Sequence, residues 1–184
     1  MGQDLCIETL LVSPVHRFAG RPGDGPTPYE GVETRQTVQL RAGRGIVGDR
    51  YFGHRFRFAS VTLLAAESVD RLATELGTGP LDPFLARRNV VTRGVDVDSL
   101  ARTTFTLDAG HGPIRFISLT PANPCAWMNV VYAPGAHRAL RGHAGIRCEP
   151  LDDGIFAVGP ATLDEVVPLA PDELRRRVES ASAR

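Results

Sequence analysis

The chain contains no lysine; its 21 lysine-plus-arginine positions are all arginine. Codon bias in a GC-rich genome accounts for that composition. The absence has a chemical consequence all the same, because Schiff-base lysine catalysis and the phosphate-cradling lysine of a P-loop are both excluded. The chain also lacks an excess of charge of either sign. Its 21 basic and 21 acidic residues leave a formal net charge of +0, with no basic block, so nucleic acid is not expected as a partner. No apolar run approaches the roughly 20 residues of a membrane span. Asp4 and Glu8 flank a short apolar start with no basic stretch before it, so neither a signal peptide nor a membrane association is expected.

Cysteine is scarce. The three present, Cys6, Cys125 and Cys148, are odd in number and far apart, which does not make a disulfide framework. A reducing, cytoplasmic setting is the expectation. The five histidines form no HExxH pair and no CxxC occurs, so a zinc site has little support. A serine-hydrolase G-x-S-x-G elbow is missing too.

The 184 residues suffice for one core, and glycine (19) and proline (14) are spread along the chain as turn signals. Short apolar runs predict strands over residues 5–12, 37–40, 61–64, 89–92, 104–107, 114–119, 155–158 and 163–167. Gly110 and Gly112 suit a hairpin between two of them. Val69, Leu72, Ala73 and Leu76 repeat at helical spacing, with Gly77 placed as a C-terminal cap. A shorter helical turn is expected over 137–141 and a helical tail from Pro171. The stretch 20–31, rich in glycine and proline, reads as a surface loop, mobile unless a ligand or partner orders it. This pattern predicts a mainly β domain, a β-barrel or β-rich α+β fold with few helices.

Cys125 is the sharpest chemical feature. Pro121 and Pro124 stiffen the loop Asn123-Pro124-Cys125-Ala126-Trp127-Met128 that carries it, and a thiol so displayed is placed for reactivity. The same thiol would also serve as a small buried hydrophobe with Trp127 and Met128 as core neighbours, and the sequence leaves both readings open. Cys6 is expected to be shielded inside its strand. Arg87-Arg88-Asn89 before a strand, and Arg138 and Arg141 around a short helix, are candidate anion sites. Gly45 to Tyr51, with Asp49 and Arg50, is a third candidate; its glycines let backbone approach a ligand.

Together these stretches resemble the MOSC domain family, named for the C-terminal domain of molybdenum cofactor sulfurase. The resemblance runs through Val12-Ser13-Pro14-Val15-His16, Gly45-Ile46-Val47-Gly48-Asp49-Arg50-Tyr51-Phe52-Gly53 and Arg87-Arg88-Asn89-Val90-Val91. It continues in Gly94-Val95-Asp96, Pro124-Cys125, Arg141-Gly142 and the late strand region 155–167. It implies a barrel related to the pyruvate kinase barrel domain over residues 1–170, with 171–184 as a helical tail. It also implies a cysteine that carries sulfur as a persulfide or ligates molybdenum, and a pocket for the pterin of molybdenum cofactor (molybdopterin). By position, Cys125 is the family cysteine, the candidate catalytic residue and metal ligand. Asp49, Arg50, Arg88, Asn89 and Arg141 match recurrent polar positions, and with Asn123 they form the candidate cofactor-binding set. The activity implied is that of a molybdenum-cofactor-dependent oxidoreductase or a sulfurtransferase. Cysteine-desulfurase and ferredoxin domains are missing from the sequence, so sulfur or electrons are expected from a donor protein. The competing reading is a non-catalytic barrel that binds a phosphorylated small molecule through its arginines.

Overall fold

Strands of alternating polarity bury one face each, and a sheet long enough to curl hides that face by closing on itself. In a computed structural model, which describes residues 2–182, this is the arrangement adopted. The first half of the chain supplies β1 (Gln3–Leu11), β2 (Thr34–Arg35), β3 (Thr37–Arg41), β4 (Gly45–Ile46), β5 (Val61–Ala65), α1 (Ala66–Leu76) and β6 (Val90–Arg93). The second half supplies β7 (Thr103–Asp108), β8 (Pro113–Pro121), α2 (Met128–Val131), α3 (Ala136–Ala139), β9 (Ile146–Pro150), β10 (Gly154–Ala157), β11 (Gly159–Pro168) and α4 (Pro171–Ser182). The expected mainly β barrel with a few helices is therefore the fold. The last two residues of the expected tail, 183 and 184, lie outside the described residues.

The barrel order is β11-β7-β8-β9-β5-β6-β1, and β1 closes it by pairing back onto β11 from Gln3↔Leu163 to Ile7↔Gly159. Every pairing in it is antiparallel except β5 with β6, which run parallel with α1 in the connection between them. β2 lies on the free side of β1, and β10, β3 and β4 form a small second sheet. The interior is predominantly apolar, with the small hydroxyls of Thr92 and Ser118 turned inward opposite Ile7 and Cys148. Ile7, Leu63, Val90, Leu107, Ile146 and Phe156 meet in it, and Phe105, Phe116 and Phe156 pack in sequence at 5.5 Å between centroids.

All eight expected strands are present. β9 has no counterpart among them, because Ile146-Arg147-Cys148-Glu149-Pro150 alternates apolar and charged residues too briefly to stand out. The hairpin at Gly110 and Gly112 forms, with Asp108 opposite Pro113. α1 begins three residues before the expected start and ends at Gly77, in the left-handed conformation at φ 64°. The 20–31 stretch is tied in place: Arg17 and Thr27 exchange two hydrogen bonds, at 2.8 and 3.0 Å.

A second apolar cluster forms outside the barrel, from Leu72 of α1 with Trp127, Met128, Ala136, Leu140 and Ala144. Phe18 stacks on Trp127, with centroids 5.1 Å apart and planes 10° from parallel. This cluster pins the chain between β8 and β9 against α1. The segment then enters β9 through Gly145, at φ 84°, where a Cβ would stand 1.9 Å from the Leu63 carbonyl oxygen. Only glycine fits so close a backbone approach.

The buried carboxylate of Glu33 holds two loops together. Arg87, itself left-handed at φ 59°, grips it with both guanidinium nitrogens at 2.7 and 2.5 Å, and Arg17 adds a contact at 3.2 Å. Burial alone would raise the Glu33 pKa, but hydrogen bonds from Arg87, Ser13 and Arg17 outweigh it and hold the group at about 2.

Two outcomes follow for stability. Gly145→Ala forces the Leu63 strand aside and costs more than about 1 kcal/mol, read as a lowered midpoint in urea denaturation. The depressed Glu33 pKa stabilises the fold fully above the ordinary carboxylate range and loses that effect as pH falls toward 2. Glu33→Gln therefore lowers stability near neutrality by on the order of 3 kcal/mol and flattens the acid limb of the stability curve measured by urea titration between pH 5 and pH 2.

Candidate functional site

Strand register places three polar residues in one row on the outside of the barrel. Thr62 of β5 stands opposite Arg147 of β9, and Arg147 stands opposite Thr120 of β8. Their neighbours Val61, Leu63, Ile146 and Cys148 face the interior, so this row faces outward. Arg88, just ahead of β6, joins it. Its Nε donates to the Ala144 carbonyl at 3.0 Å and one terminal nitrogen reaches the Asn123 carbonyl at 3.4 Å. Loss of hydration, then the nearby positive charges of Arg147 and Arg50, pull the Arg88 pKa down to about 10, while Cys125 and Tyr132 act in the opposite sense. Arg88, Arg147, Arg50 and Cys125 therefore share one neighbourhood.

Arg50 is held by its backbone, whose N–H donates to the Ser13 carbonyl at 2.8 Å, and by its guanidinium packing over the Tyr51 ring at 4.9 Å. Its Nε and one terminal nitrogen are buried without a hydrogen-bond partner, and the nearest carboxylate oxygen, on Asp49, stands at 3.8 Å. The Thr120 hydroxyl is likewise buried and unpartnered. His16 lies beside this group: burial and then Arg50 lower its pKa, so it stays neutral near neutral pH. The outcome is a group of cations with more donors than acceptors on the outer face of the barrel, which suits an anion.

Cys125 stands near enough to Arg88 to act on its charge and is exposed to solvent. The buried-hydrophobe reading therefore fails for the thiol, although it holds for its neighbours: Trp127 and Met128 are 5% and 3% exposed and anchor the loop. The expectation for Cys6 is overturned. It is exposed, because it falls on the outward face of β1 between the inward-facing Leu5 and Ile7. The buried cysteine is Cys148, whose thiol sits inside the barrel 3.6 Å from the Val61 carbonyl and has its pKa pushed well up by burial.

The other candidate positions divide by role. Asp49 and Asn89 are buried and bonded to each other at 3.1 Å. Asp49 also accepts from the backbone N–H groups of Ser13 and Tyr51, and Asn89 bridges the Leu11 carbonyl to Thr62. They fasten the loop bearing Arg50 to the barrel. Asn123 is exposed and offers its carbonyl to Arg88. Arg141 is exposed beyond α3, and it is not among the groups that act most strongly on Arg88. Sequence reasoning missed Arg147, His16 and Tyr132. Arg147 lies on a strand too short and half charged to stand out, and nothing in the sequence marks Tyr132, whose hydroxyl donates to the Asp82 carbonyl at 3.1 Å.

Solved structures share this architecture. The YuaD protein from Bacillus subtilis superimposes with a TM-score of 0.66 at 17% identity, covering 89% of this chain and 96% of that one. YiiM from Geobacillus stearothermophilus gives 0.57 at 15% identity, covering 88% of this chain and 75% of that one. YiiM from Escherichia coli gives 0.56 at 12% identity, covering 100% and 94%. No curated protein matches the sequence. At these identities the structural likenesses establish the fold alone. The family model for the MOSC domain matches residues 34–160, a span that holds Arg50, Arg88, Cys125 and Arg147, and the chain belongs to the MOSC domain family.

Proposed function

We propose that the chain binds molybdenum cofactor against the outer wall of its barrel, with Cys125 as the sulfur ligand to the metal. The observation that carries this reading is the set of guanidinium groups beside an exposed thiol. Arg88 is partly buried among like charges, and Arg50 keeps two buried nitrogens without a hydrogen-bond partner. A cluster of that kind is costly unless an anion joins it. The phosphate of a pterin cofactor supplies such an anion, and the residues present fit it. Arg50, Arg88 and Arg147 would hold the phosphate, while Asn123 and Thr120 offer hydrogen-bonding groups to the pterin. Among the described residues no group of three or more His, Cys, Asp or Glu side chains gathers as a metal site. In this reading Cys125 would hold the metal and the arginines would hold the phosphate. When bound, the cofactor supplies two-electron redox chemistry. The chain's own part is to fix the thiol on a stiff loop, neutralise the phosphate and keep His16 neutral at the rim.

The solvent exposure of Cys125 also favours sulfur carriage. In that step the Cys125 thiolate attacks the outer sulfur of a donor persulfide. One S–S bond forms as another breaks, and the donor leaves as its thiolate.

Metal analysis and intact mass of protein expressed with added molybdate test the proposal. The expected result is stoichiometric molybdenum, lost to background in Cys125→Ser and reduced about tenfold in Arg88→Gln at matched concentration, the effect of losing one charged hydrogen-bond partner. A mass increase of one sulfur that disappears in Cys125→Ser identifies sulfur carriage instead. Protein with neither molybdenum nor added sulfur, yet binding inorganic phosphate through Arg88, overturns both in favour of a non-catalytic anion-binding barrel.

A further inference from the structure

The outer wall that carries Arg147 continues along the same two strands. Two residues further along β9, Glu149 stands opposite Ile117 of β8. Here the wall faces α4 across a cavity of about 400 Å³, close to the lower limit for small-molecule pockets. Its floor is apolar, made of Ile117 and Leu119 from β8 and Phe58 from the turn before β5. Its rim is cationic, with Arg55 and Arg57 on one side and Arg176 and Arg177 of α4 on the other.

The carboxylates nearby do not neutralise this rim. Glu173 is engaged by Arg177 one helical turn away, at 2.9 Å. Glu149 lines the same cavity and is not without a partner either. Arg55 instead packs over the Phe56 ring at 4.5 Å, and Arg176 donates only to the Asp172 carbonyl at 3.3 Å. Neither has a carboxylate partner among the described residues. Two guanidinium groups from different parts of the chain thus flank one apolar floor.

The geometry points to a second ligand site in this cleft, for a small organic anion with a flat apolar body. The ring system lies on Ile117, Leu119 and Phe58, and a carboxylate, sulfonate or phosphate group is held between Arg55 and Arg176. Apolar contact supplies the area, and the planar guanidinium forks supply the charge recognition. The site uses neither Cys125 nor Arg88, so it stands or falls apart from the cofactor reading.

The probe is naphthalene-2-sulfonate, titrated into the full chain by isothermal titration calorimetry beside the uncharged naphthalene-2-methanol and inorganic phosphate. The sulfonate is expected to bind at one site, at least about tenfold more tightly than either control, since each control lacks one half of the recognition. Arg55→Gln and Arg176→Gln should each weaken it about fivefold or more, and circular dichroism melts should remain unchanged for these exposed positions. Cys125→Ser and Arg88→Gln should leave the affinity as it is. No binding at millimolar probe, equal affinity for the uncharged analogue, or indifference to both arginine substitutions would overturn the proposal. So would binding lost in Arg88→Gln, which would put the probe beside Cys125.

Discussion

Closing a seven-stranded sheet leaves the interior no choice of chemistry. Each strand turns every second side chain inward, and here those positions hold Ile7, Leu63, Val90, Phe105, Phe116 and Ile146, with only small hydroxyls such as Thr92 and Ser118 among them. Even the inward cysteine, Cys148, is inert there, its thiol held protonated by burial. Polar chemistry must therefore occur on the outer face. The register across β5, β9 and β8 decides which outward residues become neighbours. Shifting β9 by one residue would send Arg147 into the core and bring Cys148 out.

The outer face is specialised by what covers it. Over Thr62, Arg147 and Thr120 the chain lays the stiff loop after β8 and the arginine that precedes β6. Both are held by packing and backbone bonds that involve no charged partner. This gathers Arg88, Arg147 and Arg50 in one place with Asp49 set back 3.8 Å from Arg50, while Glu33 and Arg87 are matched carboxylate to guanidinium. Two adjacent arginines thus have opposite fates. Arg87 is part of the framework, and Arg88 is left with charge to offer.

Much of this was legible in the sequence, for reasons that separate cleanly. Strands with strong apolar content, the α1 periodicity and the Gly77 cap are local signals, and they fall where the residues place them. The proline-framed loop left display and burial of Cys125 both open, and its exposure decides for display. What local reading did not reach was facing. Cys6 sits in an apolar run, yet its side of the strand is set by the closure of β1 on β11, a contact over 150 positions away in the chain. The same limit hid Arg147, since β9 is short and half charged. It also made Asp49 and Asn89 look like ligand contacts, when their hydrogen bonds go to the chain itself. Polar residues at a turn read alike whether they fasten the loop or face a ligand; only their partners distinguish them.

The stack of Phe18 on Trp127 has a practical side. Trp127 is the sole tryptophan of the chain, and it lies two residues from Cys125 with its ring against Phe18. It is 5% exposed, yet it belongs to the cluster outside the barrel and touches none of the barrel interior. Its emission therefore reports on the loop that presents the thiol rather than on the core. Loosening of that loop, which need not involve the barrel, would show as a red shift while the backbone signal of the strands stayed constant. The protein carries its own optical probe at the one place where its chemistry is expected.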